Sequence, residues 1–126
     1  MANRRVLVVE DYPDARELLV DWLDGLGYEA IAARNGVEAL SILSRGVAPA
    51  LMLLDLRMPV MDGWRFMEIA GERQLLGRTE VWVTSASENA QPPMGARGVL
   101  PKPLDLEELA RLVARVCGPA QPTGSS

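Results

Sequence analysis

Apolar positions fall into two alternating rhythms along this chain. The run VLVV at 6–9 has no polar break and stops at Glu10 and Asp11, which suits a strand buried on both faces. Beyond it Ala15, Leu18, Leu19, Trp22, Leu23 and Leu26 recur at helical spacing until Gly27, with Pro13 placed for the first helical turn. The alternation then repeats. Residues 28–33 read as a second strand, Asn35 and Gly36 punctuate it, and Val37, Ala39, Leu40 and Leu43 mark a second amphipathic helix. LMLL at 51–54 is the third strand, 64–75 the third helix, 81–84 the fourth strand and 99–100 a brief fifth. Leu106, Leu109, Leu112, Val113 and Val116 describe a closing helix, and after Gly118 the stretch 119–126 reads as a flexible tail behind one domain at 1–118. Strands alternating with helices predict an α/β fold with a parallel sheet covered on both faces.

One unit breaks the pattern. The fourth crossover, 86–98, is near the minimum length for a parallel connection, and Pro92, Pro93, Gly95 and Gly98 interrupt it. A shortened or missing fourth helix is expected there.

Composition narrows the chemistry. A chain of 126 residues with 48% hydrophobic content supports one core. Its formal charge of −4 and scattered basic residues give no basic face for nucleic acid. No apolar run reaches the roughly 20 residues of a membrane span, and no signal-peptide pattern opens the chain, so a soluble, cytoplasmic protein is expected. The single cysteine, Cys117, sits on an apolar helix face and reads as a core residue. The absence of histidine removes His-activated nucleophiles and histidine metal sites, leaving carboxylates to carry any chemistry.

Ligands of open α/β sheets collect beyond the carboxyl ends of the strands. Those ends carry Glu10 and Asp11, then Asp55, then Thr84 and Ser85, and finally Lys102. Carboxylates brought together there repel unless a cation joins them, and an all-oxygen set favours Mg²⁺. Asp55 is the acid placed to attack phosphorus, with Lys102 pairing a phosphoryl oxygen. Taken singly, Asp11 or Asp55 could equally cap a following helix. Asp62 and Gly63 read as the turn that starts the third helix, Met58, Met61 and Met67 as packing, Trp22 as core, and Trp64 as lying near the acidic rim.

The blocks VLVVEDYPDAR, LLDLRMPVMDGW, VWVTSAS and LPKPLD resemble, in order and over nearly the whole chain, the receiver domain of bacterial two-component response regulators. The resemblance implies a doubly wound, CheY-like (flavodoxin-like) five-stranded sheet in the order 2-1-3-4-5. It implies Asp55 as phosphoacceptor, and Glu10, Asp11, Asp55 and the backbone carbonyl of Arg57 as ligands of Mg²⁺. Lys102 matches the phosphoryl-contacting lysine, and Pro103 the proline whose preceding bond is usually cis. Ser85, followed by Ala86 at the family's usual distance beyond Gly63, matches the switch hydroxyl better than its alternative, Thr84. A sensor histidine kinase or histidine phosphotransfer protein would be the donor and an unknown protein the downstream partner, with switching rather than turnover as the role. Two departures stand out: the family's aromatic switch position is Val99, and the fourth crossover is several residues short. The competing readings are a non-phosphorylated docking module and an aspartyl-phosphate phosphatase. The second requires an acid two residues after the nucleophile, where this chain has Arg57.

Overall fold

The computed structural model describes residues 3–122. Five parallel strands, β1 (Arg5–Val9), β2 (Glu29–Ala33), β3 (Leu51–Asp55), β4 (Glu80–Ser85) and β5 (Gly98–Pro101), form one sheet in the order β2-β1-β3-β4-β5. The order reverses between β1 and β3. Their carboxyl ends, Val9 beside Leu54 and Asp55 beside Thr84, therefore flank a crevice. The central strand β3 is buried along its whole length, which is why its sequence lacks alternation.

Helices cover both faces. One apolar layer joins Leu7, Val9, Met52, Leu54, Val81 and Val83 to α2 (Gly36–Ser44) and α3 (Gly63–Glu72). The other joins Val6, Val8, Leu51 and Leu53 to α1 (Pro13–Gly25) and α4 (Leu106–Cys117). Side chains that alternate along each strand divide between these layers. The helix starts are written locally: Asn35 Oδ1 accepts from Glu38 N at 2.8 Å, Asp62 Oδ1 from Arg65 N at 2.8 Å, and Asp105 Oδ1 from Glu107 N at 3.0 Å. Each such cap contributes about 1 kcal/mol.

The observed elements adjust several expectations. The third helix ends at Glu72 rather than near Leu75, because Gln74 turns the chain with φ of 55°. On α1 only Leu19 and Leu23 are fully buried. Trp22 lies half-buried at the edge of that layer, and Leu18 is 62% exposed. Between β4 and β5 there is no helix: turns at 88–89 and 94–95 join irregular chain. Pro93 is buried there, and Ala90 and Ala96 pack against the α2/α3 layer in place of a helix.

After Gly118 the chain folds back across the α1–β2 turn as far as Pro122. Tyr28 Oη donates to Gly118 O at 2.7 Å, Arg4 Nη1 to Pro119 O at 3.0 Å, and Gln121 N to Leu26 O at 2.7 Å. A Cβ at Gly27 would lie 2.0 Å from Gln121 O, so this approach requires glycine. The remainder of the tail, 123–126, lies outside the described residues.

Candidate functional site

The residues that end β1 and β3 meet at the crevice. Glu10 and Asp55 are 6% and 5% exposed, and Asp11 is half-buried beside them. One carboxylate oxygen of each lies within 4.8 Å of the others. Lys102, just past β5, places Nζ 3.2 Å from Glu10 Oε1 and 3.3 Å from Asp55 Oδ2. One ammonium thus faces three carboxylates, and Glu10 Oε2 is buried with no hydrogen-bond partner. A buried acceptor left unpaired is costly, and the surplus of negative charge calls for a cation.

The electrostatics follow. Burial, then the hydrogen bond and charge of Glu10, push the Asp55 carboxyl from 3.8 up to about 6, against the pull of Lys102 and of the Arg57 amide. For Lys102 burial acts downward, but the carboxylates of Asp55 and Glu10 outweigh it and raise its pKa. A hard divalent ion among these oxygens would supply the missing positive charge, and the oxygen-only donor set fits Mg²⁺.

The loops are held by contacts the sequence reading did not identify. Arg16, early in α1, donates from Nη1 to Glu10 O at 2.9 Å and to Asp11 O at 3.4 Å, bracing the acidic pair. Its spacing after the acids was the available signal. Gly63 N donates to Leu56 O at 2.8 Å, and a Cβ there would sit 2.9 Å from Leu56 Cα and 3.1 Å from Asp55 O. Glycine at this position therefore lets the start of α3 close onto the backbone that carries Asp55. Met61 packs on Gly36 at the start of α2, and Val60 takes φ of 72° at the tip of the same loop. Arg57 is exposed, and its amide donates to Asp55 Oδ1 at 3.3 Å.

Both hydroxyls at the end of β4 are buried. Thr84 continues the face of Trp82 toward α1 and α4, and Ser85 continues the face of Val81 and Val83. Ser85 Oγ accepts from Ser87 N at 3.0 Å, so it holds the first residues of the β4–β5 connection. Farther along that connection, Trp64 Nε1 donates to Gln91 O at 3.3 Å. The Lys102–Pro103 bond is cis, and Lys102 N donates to Ser85 O at 2.9 Å. Away from the crevice, Cys117 is buried in the α1/α4 layer, where burial pushes its thiol up to about 11.

A doubly wound sheet in this order, with an acid-lined crevice faced by a lysine, defines a two-component receiver domain. The chain belongs to the response regulator receiver domain family, whose model matches residues 6–114. It is 36% identical over 119 residues to the Regulator of RpoS of Escherichia coli (strain K12), covering 90% of this chain and 34% of that protein. It is 37% identical over 112 residues to the Sensor histidine kinase RcsC of Salmonella typhi, covering 86% of this chain and 12% of that one. The chain thus spans about a third or less of the length of these relatives. Among solved structures it resembles the response regulator protein TrrA of Thermotoga maritima in complex with Mg(2+)-BeF. The TM-score is 0.76 at 30% identity, covering 90% of this chain and 98% of that one.

Proposed function

We propose that Asp55 accepts a phosphoryl group from the phosphohistidine of a sensor kinase or phosphotransfer protein, and that the modified domain then switches conformation. The observation that carries this reading is the cluster of buried Glu10 and Asp55 with half-buried Asp11, an orphaned Glu10 Oε2 and a single lysine across from it. Glu10, Asp11, Asp55 and the carbonyl of Arg57 would hold Mg²⁺, which supplies positive charge to the carboxylates and to the phosphoryl oxygens. An Asp55 carboxylate oxygen attacks phosphorus, the P–N bond of the donor breaks, and its electron pair leaves with the imidazole. Lys102 then exchanges its pairing with Asp55 for a phosphoryl oxygen. Ser85 reorients toward the new anion, giving up the hydrogen bond from Ser87 N. Thr84 is the alternative donor, but only Ser85 is bonded to the connection that must move.

The domain is a signalling element rather than a turnover enzyme, and a kinase of this class places it in the cytoplasm. Its net charge of −4 argues against direct contact with nucleic acid. Among the described residues, no helix is long and apolar enough to cross a membrane. The test is incubation with Mg²⁺ and acetyl phosphate followed by intact-mass measurement. One added phosphoryl group is expected on the parent and none on Asp55→Asn, whose amide has no nucleophilic oxygen anion. Equal labelling of both would overturn the assignment, and no labelling of a Mg²⁺-loaded parent would leave the non-phosphorylated docking module.

A further inference from the structure

Beneath the acidic rim, between the sheet and helices α1 and α4, lies a cavity of about 290 Å³. Its walls are aliphatic, including Val8, Leu19, Leu53 and Leu104, with the small Ala15 leaving room on the α1 side. Leu18 and Leu106 also line it and are 62% and 39% exposed, which puts them at its mouth. An apolar cavity of about 150 Å³ admits one benzene ring. The space here is about twice that, enough for two fused rings.

Three polar side chains also line this space: Glu10 and Lys102, on the side of the rim, and Thr84. Thr84 lines the cavity and is 5% exposed, yet its hydroxyl takes part in no side-chain hydrogen bond among the described residues. A hydroxyl that borders such a space without a protein partner can pair with an N–H or O–H group of an occupant. Charge settles the kind of group. Glu10 in the lining, with Asp11 and Asp55 beside it, outnumbers Lys102 in charge, which disfavours an anion, and a cation would have to lose its hydration among largely aliphatic walls.

We propose that this cavity binds a neutral, two-ring aromatic molecule carrying one N–H or O–H group, which pairs with the Thr84 hydroxyl. Lys102 lines the same space while its Nζ pairs with Glu10 and Asp55. An occupant therefore packs against the stem of the lysine and restrains it from turning to a phosphoryl group. This regulatory half rests on the phosphoacceptor reading above; the binding half does not.

Indole is the probe, titrated into the full chain without Mg²⁺ and followed by amide and methyl chemical shifts. Saturable shifts with a sub-millimolar Kd, confined to residues around Leu19, Leu53, Thr84 and Leu106, are expected. Ala15→Leu, which fills the space, should weaken binding at least tenfold, and Ala15→Met serves the same end with a more adaptable side chain if the first folds poorly. Thr84→Val should lower affinity for indole several-fold but leave that for benzothiophene, which lacks the N–H, unchanged. Non-saturable shifts, shifts elsewhere, or equal affinity in the filled variants would overturn the site. So would a cavity that ignores indole while Ala15→Leu abolishes phosphotransfer from a kinase, since it would then belong to the protein partner. Saturating indole should slow acetyl phosphate labelling of the parent several-fold and leave that of Ala15→Leu unaffected. Unchanged labelling of the indole-bound parent would overturn the restraint on Lys102 alone. A parent that never labels would overturn the phosphoacceptor reading and the restraint with it, the binding result being read separately.

Discussion

Asp55 is held in a state that disfavours its own charge. It is buried next to Glu10, and a single lysine does not offset the two, so its carboxyl is pushed up to about 6. The sign of the resulting pH dependence is fixed. A carboxyl whose folded pKa lies above its unfolded value helps the fold below the unfolded value, here 3.8, and loses that help as pH rises through about 6. Without metal at pH 7 to 8, ionised Asp55 is therefore a burden. Asp55→Asn should raise the Tm of the EDTA-treated protein, by an amount corresponding to about 1 kcal/mol once water at the open rim is allowed for. Adding Mg²⁺ should reverse the order, because the parent gains binding free energy that the variant largely lacks. A variant less stable than the parent in EDTA would show that the Lys102 pairing outweighs the burial. Gly63 acts on the same residue from the backbone side, since any side chain there would push against Leu56 and the Asp55 carbonyl.

Among the elements, the β4–β5 connection is the one whose structure changes the expected output. Receiver signalling through a regular helix at this place would need backbone donors that Pro92 and Pro93 lack, and here the segment is irregular chain packed down by Pro93, Ala90 and Ala96. Val99 provides no aromatic ring to follow the hydroxyl of Ser85. What the segment does have is one tether at each end of its first half: Ser87 N on Ser85 Oγ, and Gln91 O on Trp64 Nε1. On the proposed switch, reorientation of Ser85 would release the first tether and load the second. Beryllofluoride with Mg²⁺ should therefore shift the Ser87 amide and the Trp64 indole N–H together, and should produce no dimer in sedimentation. A beryllofluoride-dependent dimer protected from hydrogen exchange along 87–117 would show that this shortened segment serves as an association surface.

Across the whole molecule, the end opposite the crevice is closed by charge and by the returning chain. Glu80 at the start of β4 accepts from Arg115 on α4 at 2.6 Å and from Trp82 Nε1 at 2.8 Å, with Arg97 at 3.8 Å. Its pKa is lowered, chiefly by the Arg115 hydrogen bond against a smaller opposing effect of burial. A depressed carboxylate contributes stability above its unfolded value, here 4.5, and loses it as pH falls through the folded value. Glu80→Gln should accordingly lower Tm at neutral pH, and the gap to the parent should close as pH falls below 4.5 and through the folded value. A gap that stays constant down to pH 3 would mean that the loss is one of packing rather than of charge. At the same end, Arg4, just before β1, lies over the Tyr28 ring with 4.5 Å to its centroid and donates to Pro119 O of the returning tail.

How much of this was legible along the chain depended on the range of the forces involved. Unbroken apolar runs, helical spacing, the breaks at Asn35–Gly36 and Asp62–Gly63 and the two adjacent prolines are local signals, and they sufficed for element order, the parallel sheet and the missing helix. The strand-end acids and Lys102 were legible for the same reason, since a parallel sheet sends all its carboxyl ends to one rim. Contacts between residues distant in sequence left no local trace. Trp64 reaching Gln91 and the tail seated on Gly27 both depend on where the backbone passes after packing. Leu18 makes the same point in reverse: its spacing marks it as buried, but in the packed chain it is 62% exposed. Periodicity and turn chemistry decide which residues can face a core or a rim. Only the packed chain decides which of them are covered, which carboxyl is desolvated, and where a space is left unfilled.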